Sequence, residues 1–92
     1  MNTYLTLKTL ITHTEAGKRI KLEQGVRYDG GFDFENIDKN RTFLLVKVDG
    51  REDKVFFPAG SASFLSNFKY IGHTDKPHYE RVEIVKRPRI RK

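Results

Sequence analysis

Residues 42–57 constrain the fold of this chain more than any other stretch. They read TFLLVKVDGREDKVFF, two apolar β-rich runs separated by Asp49 and Gly50. An Asp-Gly pair between alternating apolar runs is a strong signal for a β-hairpin with a tight turn. We therefore expect a central hairpin, with shorter strands before and after it that cover its apolar faces.

Alternation along this hairpin predicts which residues face the core. With an even-numbered loop, the inner face comprises Leu44, Val46, Val48, Val55 and Phe57. The opposite parity would bury Glu52 and Lys54 without an evident partner, which costs desolvation energy. The loop length stays open, because a two-residue turn sets Asp53 opposite Val46, whereas a four-residue loop opposes Lys54 with another lysine.

The outer face of the hairpin is unusually apolar for a surface that meets solvent. It carries Phe43, Leu45 and Phe56 beside Lys47 and Lys54. Large exposed apolar patches are scarce on monomeric proteins and mark interaction sites where they occur. Either residues 79–85 cover this face, or it is a binding surface.

Length and composition bound the remaining possibilities. Ninety-two residues suit one domain with one core, and the absence of cysteine excludes disulfides and thiolate metal sites. The N-terminus lacks the basic region and apolar run of a signal peptide, and no apolar run is long enough to span a bilayer. We expect a cytoplasmic protein without membrane contact.

The segments before the hairpin show short periodic runs. Residues 4–12 alternate as one half-buried strand whose apolar face would hold Leu5, Leu7 and Ile11. Ile20 and Leu22 alternate with charged residues, and after Gln24-Gly25 the run resumes at Val26 and Tyr28, which indicates two short strands or one bent strand.

Asp29-Gly30-Gly31 reads as a turn, since adjacent glycines admit positive φ without steric cost. A long acidic loop would follow it over residues 32–41, anchored to the domain by Phe32, Phe34 and Ile37. After the hairpin, small residues at 59–63 suit a tight connection or a single helical turn.

This order of elements resembles the SH3-like small barrel over about residues 4–72. The predicted fold is all-β, a small SH3-like barrel of five to six short antiparallel strands with a central hairpin. The domain is expected to occupy residues 1–85, followed by a flexible basic tail at 86–92. SH3 ligand grooves use a tryptophan, which this chain lacks, so recognition of proline-rich peptides is not implied. A resemblance in fold supplies no function.

Charge is concentrated at the C-terminus. The net charge of the whole chain is +6, and residues 81–92 alone carry six basic residues against one acid, Glu83. The basic residues are Arg81, Lys86, Arg87, Arg89, Arg91 and Lys92. Such a run attracts phosphates, and Pro88 keeps it extended. The alternative is a tail that only increases solubility.

The other polar clusters are better explained as ordinary surface groups than as catalytic or metal-binding sites. The three histidines lack the spacing and the cysteine partners of a zinc site, and the serines lack a nucleophile-elbow context. The acids Asp29, Asp33, Glu35 and Asp38 do not match a calcium loop and are expected to be solvated. No catalytic residue, metal site or cofactor is predicted, and we expect a protein without enzymatic activity.

Two functions from different classes fit these observations. The first is low-specificity binding of RNA or DNA through the tail with Lys47 and Lys54, aided by stacking on Phe43, Phe56 or Tyr79. The second is a protein-interaction or inhibitory accessory protein of the phage or mobile-element type. Its partner-binding residues would be Phe43, Leu45, Phe56 and Tyr79. A homodimer through an unpaired edge strand is a variant of the second function.

Overall fold

The protein is built mostly from short antiparallel β-strands. The computed structural model describes residues 1–86. Within them the strands are β1 (Asn2–Thr6), β2 (Leu10–His13), β3 (Arg19–Leu22), β4 (Arg27–Phe32), β5 (Arg41–Val48), β6 (Arg51–Pro58), β7 (Phe68–His73), β8 (Glu80–Arg81) and β9 (Glu83–Ile84). A 3₁₀ helix, Phe34–Lys39, joins β4 to β5, and helix α1, Ala62–Asn67, precedes β7. The all-β prediction is confirmed at this level.

The strands form two sheets that do not close into a barrel. The larger sheet has the order β6-β5-β4-β1-β7, with β8 beside β5, and the smaller has the order β2-β3-β9. The prediction of a closed small barrel is therefore wrong. Strands β6 and β7 end the larger sheet on opposite sides, so no hydrogen-bonded ladder joins them.

The central hairpin has the two-residue loop. Val48 pairs with Arg51, and the intervening Asp49 and Gly50 have φ angles of 51° and 76°. Positive φ at both positions defines the primed turn whose twist matches that of the flanking strands. This register places Asp53 opposite Val46, and Asp53 remains half-buried at the edge, where its carboxylate accepts the Lys54 backbone N–H at 2.8 Å.

The core lies between the two sheets and under helix α1. The predicted inner face of the hairpin is confirmed, because all five of its residues are buried. Ile20 and Leu22 on β3 contribute to the core from the smaller sheet, as their alternation predicted. Phe64 from α1 stacks on Phe68 at 5.0 Å between ring centroids, and Tyr4 meets Phe64 edge-on at 5.2 Å.

Residues 4–12 form two strands rather than one. The chain bends between Thr6 and Leu10, so β1 and β2 belong to different sheets. Tyr4 and Thr6 point into the core, whereas Leu7 and Ile11 are exposed. The predicted apolar face was therefore wrong, because the ring of Tyr4 packs edge-on against Phe64 and its face of β1 meets the core.

Asp29-Gly30-Gly31 is the middle of strand β4 and not a turn. Gly30 pairs with Leu44, and a Cβ placed on Gly30 would overlap the carbonyl oxygen of Phe43. A glycine inside a strand often marks such a close approach of two backbones. The glycine is therefore used here for its small size and not for positive φ.

The acidic loop and its aromatic anchors also differ from expectation. Asp29 and Asp33 are buried and hydrogen-bonded rather than solvated. Phe34 and Ile37 lie on the 3₁₀ helix and are largely exposed, so they do not anchor this segment to the core.

The last described residues join the two sheets. Strand β8 runs parallel to β5, opposite Val46 and Lys47, and β9 pairs with β3. The segment 79–85 therefore contributes to both sheets, with β8 beside the hairpin in the larger sheet and β9 at the edge of the smaller one. Of the predicted basic tail, Lys86 is exposed, and Arg87, Arg89, Arg91 and Lys92 lie outside the described residues.

Candidate nucleic-acid interface

The turn register fixes which side chains meet on the outer face of the hairpin. Phe43 pairs with Phe56, and Leu45 pairs with Lys54. Leu45 is only 3% exposed, so its side chain is not part of the accessible surface. Phe43 and Phe56 remain half-exposed, with ring centroids 6.4 Å apart.

Two cations lie on this aromatic pair. The Lys54 ammonium nitrogen is 4.9 Å from the centre of the Phe43 ring, and the Arg41 guanidinium carbon is 3.6 Å from that of Phe56. A cation over a ring face is attracted by the ring quadrupole. The outer face thus presents aromatic faces and positive charge side by side.

Arg41 is oriented by a buried acid. Its Nε donates a hydrogen bond of 2.8 Å to Asp33 Oδ2. This hydrogen bond and the positive charge of the guanidinium hold the pKa of Asp33 below its ordinary value. The carboxylate keeps the guanidinium in place, while the rest of its plane covers Phe56.

Two of the predicted nucleic-acid-binding residues, Lys47 and Arg81, lie on neighbouring strands at the other end of the outer face. In the parallel pairing of β8 with β5, Arg81 stands in register with Lys47. Arg81 is exposed and Lys47 is half-buried. Glu52, the partner of Lys47 on β6, adds one acid to this region. Lys47, Lys54 and Arg81 therefore belong to one surface.

A polar cluster holds the chain that leads into β8. The buried Asp29 carboxylate accepts hydrogen bonds from the Thr3 hydroxyl at 2.7 Å and from the His78 backbone N–H at 2.9 Å. The His78 ring lies between two acids, with Nδ1 2.9 Å from Asp29 and Nε2 2.9 Å from Glu80. The cluster fixes residues next to Tyr79, which is half-buried.

The carboxylates and the imidazole in this cluster perturb one another. The hydrogen bond to Glu80, followed by the charge of Asp29, raises the pKa of His78 against the opposing effect of its partial burial. Burial alone would raise the pKa of Asp29, but the hydrogen bonds from His78 and Thr3 and the charge of His78 hold it below its ordinary value. The protonated ring of His78 therefore stabilises the position of β8 beside β5.

Sequence patterns did not identify Arg41 as part of this face, nor Phe32 and Phe34 as accessible aromatic residues. Arg41 shares the face of Phe43 by simple alternation, and extending the period-two pattern by one pair would have found it. Phe32 and Phe34, whose ring centroids are 5.0 Å apart, were interpreted as anchors because their exposure has no sequence signal.

Other site classes find little support among residues 1–86. No group of three or more histidine, aspartate or glutamate side chains in this range is arranged to hold a metal ion. None of the helices described here has the length and apolar character that crossing a bilayer requires.

Comparison with known proteins adds no assignment. No protein-family model matches the chain, and neither does any curated protein or solved structure. The geometry of the outer face of the hairpin is therefore the main indication of function.

Proposed function

We propose that this protein is a non-enzymatic module that binds single-stranded nucleic acid with low sequence specificity. The observation that carries the proposal is the half-exposed Phe43–Phe56 pair, with cationic groups on both rings. The SH3-like element order remains a separate prediction, on which this binding mode does not depend.

The aromatic pair supplies the stacking contribution. Bases of any sequence stack on aromatic side chains, and each such stacked base contributes about 1–3 kcal/mol. The ring planes of Phe43 and Phe56 are inclined by 62° and Arg41 covers Phe56, so bases would stack on Phe43 and on the Arg41 guanidinium plane. Because stacking does not distinguish the bases by hydrogen bonds, the expected specificity is low.

The cations supply the phosphate contribution. Lys54 lies on the stacking surface itself, while Lys47 and Arg81 extend it toward β8. The basic tail beyond Lys86 adds Arg87, Arg89, Arg91 and Lys92 by sequence. Phosphate contacts position the strand without reading its sequence.

The contrary interpretation is that the ring–cation pairs only stabilise a bare surface. An exposed cation–π contact contributes about 0.5–1 kcal/mol to stability without any ligand. Stability and affinity must therefore be measured on the same variants.

The decisive experiment is fluorescence anisotropy with labelled single-stranded DNA and RNA over a salt series. The double substitution Phe43→Ala and Phe56→Ala should weaken binding by roughly tenfold or more per ring, with little change in the salt slope. Tyr70→Ala is the matched control, because Tyr70 is an exposed aromatic on β7, away from the hairpin. Circular dichroism of each variant separates reduced affinity from reduced folding.

The charged residues should behave differently from the rings. Replacing Lys47, Lys54 and Arg81 with alanine should flatten the log-log salt slope by about 0.7 for each phosphate that the protein no longer neutralises. Replacing Arg87, Arg89 and Arg91 with alanine tests the tail in the same way. No binding by the native chain at low salt, or no effect of the ring substitutions, contradicts the proposal.

A protein-interaction function is the second candidate, and one observation favours it. Strand β7 ends the larger sheet, and its neighbourhood exposes Leu65, Tyr70 and Ile71. An unpaired edge with apolar side chains can pair with the same edge of a second copy. Sedimentation of the native chain and of Ile71→Lys would detect such a homodimer.

A further inference from the structure

A groove beside Phe43 continues the aromatic surface toward strand β4. Its volume is about 640 Å³, within the range of small-molecule sites. Gly30 and Gly31 form part of its lining, with Phe32, Phe34 and Phe43 as its aromatic residues and Lys54 beside them.

Gly31 is buried, but the position that a side chain would occupy there is not filled closely by its neighbours. A Cβ placed on Gly31 would have no neighbour closer than Met1 Cγ at 3.9 Å, and Gly31 does not have a positive φ. Glycine inside a strand forfeits about 0.5–1 kcal/mol relative to alanine. Such a position often marks the close approach of another group. Here the space above Gly31 belongs to the groove.

The aromatic residues of the groove are accessible. Phe34 is 79% exposed, and its ring meets that of Phe32 edge-on, at 5.0 Å between centroids. Phe43, from the neighbouring strand, lines the same groove. An accessible phenylalanine ring offers a face on which a planar aromatic group can stack.

The charges around the groove indicate which part of such a ligand can lie inside it. Lys54 lies over Phe43 and can approach a phosphate, whereas Glu35 lines the groove and repels an anion within it. The other lining acid, Asp33, is engaged by Arg41. An uncharged base therefore fits inside the groove, with its phosphate outside near Lys54.

We infer that this groove holds one unstacked nucleobase of a bound single strand, above Gly31 and against Phe34 and Phe43. The inference rests on the proposed function and adds to it a defined base site. It makes Gly31, Phe32 and Phe34 binding residues and extends the interface from the hairpin onto strand β4 and the 3₁₀ helix.

The test uses an oligothymidylate with a single 2-aminopurine, whose fluorescence changes when the base leaves its neighbours and stacks on protein. The native chain should change that fluorescence on binding. Gly31→Val should fill the groove, abolish the change and weaken binding by roughly tenfold, while the salt slope stays the same. Gly72→Val is the matched control, because Gly72 is an open strand glycine outside the groove.

A second variant guards against loss of folding. Phe34→Ser changes a side chain that is 79% exposed, so the core should remain intact. It should reduce both the fluorescence change and the affinity for the oligonucleotide, and it should have less effect on a strand with an abasic site at the probed position.

The outcomes separate this inference from the proposed function. Oligonucleotide binding that Phe43→Ala and Phe56→Ala weaken but Gly31→Val and Phe34→Ser leave unchanged overturns the base site and retains the function. Failure of the native chain to bind any strand overturns both. A dimer that dissociates on Gly31→Val while oligonucleotide binding is unchanged assigns the groove to a second copy and also overturns the base site.

Discussion

Replacing Gly30 with alanine should remove a large part of the stability of this protein. The new Cβ would overlap the Phe43 carbonyl oxygen, lie 2.9 Å from its carbonyl carbon and lie 3.1 Å from the Leu44 Cα. These neighbours are backbone atoms of β5, so no side chain can rotate away. Strands β4 and β5 must instead separate where Gly30 pairs with Leu44.

The cost can be approximated from two contributions. Overpacking in a folded interior costs about 1–3 kcal/mol. Each ladder hydrogen bond that breaks as the strands part adds about 1 kcal/mol. With one such hydrogen bond lost, we expect a total of about 2–4 kcal/mol, which lowers the Tm of a domain of this size by roughly 8–32 °C.

Thermal and urea denaturation followed by circular dichroism measure this effect. Gly31→Ala is the matched control, because its Cβ meets only Met1 Cγ at 3.9 Å, and it should be neutral or stabilise by up to about 1 kcal/mol. If the two alanine variants melted together near the native Tm, the close approach at Gly30 would not be the reason for this glycine.

Two further perturbations test the cluster around His78 and the hairpin turn. The raised pKa of His78 means that its stabilising effect is fully present below its ordinary value of 6.5 and is lost as the pH rises through its folded value. The difference in unfolding free energy between the native chain and His78→Gln should therefore shrink as the pH rises above 6.5, and a difference constant with pH would refute the charged interaction. Gly50→Ala places a Cβ at a φ of 76° and should cost about 1–2 kcal/mol in urea denaturation. Asp49→Asn, which suits the same turn, should be nearly neutral, and equal stability of the two turn variants would contradict the requirement for glycine.

The elements that could be predicted from the sequence are those with local signals. Asp49-Gly50 and the alternation of the flanking runs predicted the hairpin and its inner face, because turn chemistry and side-chain period act within one segment. Ile20 and Leu22 were predicted in the same way, and their burial confirms it.

Other residues have roles that depend on contacts with groups far away in the chain, which the sequence does not show. The role of Gly30 depends on the Phe43 carbonyl, and the burial of Asp29 depends on His78, 49 positions away in the chain. Likewise, residues 80–84 divide between two sheets, since β8 pairs with β5 and β9 pairs with β3, two strands far away in the chain. A local sequence pattern shows which residues a segment contains, whereas tertiary packing determines which distant groups they contact. The candidate site on β4, β5 and β6 depends on such long-range contacts.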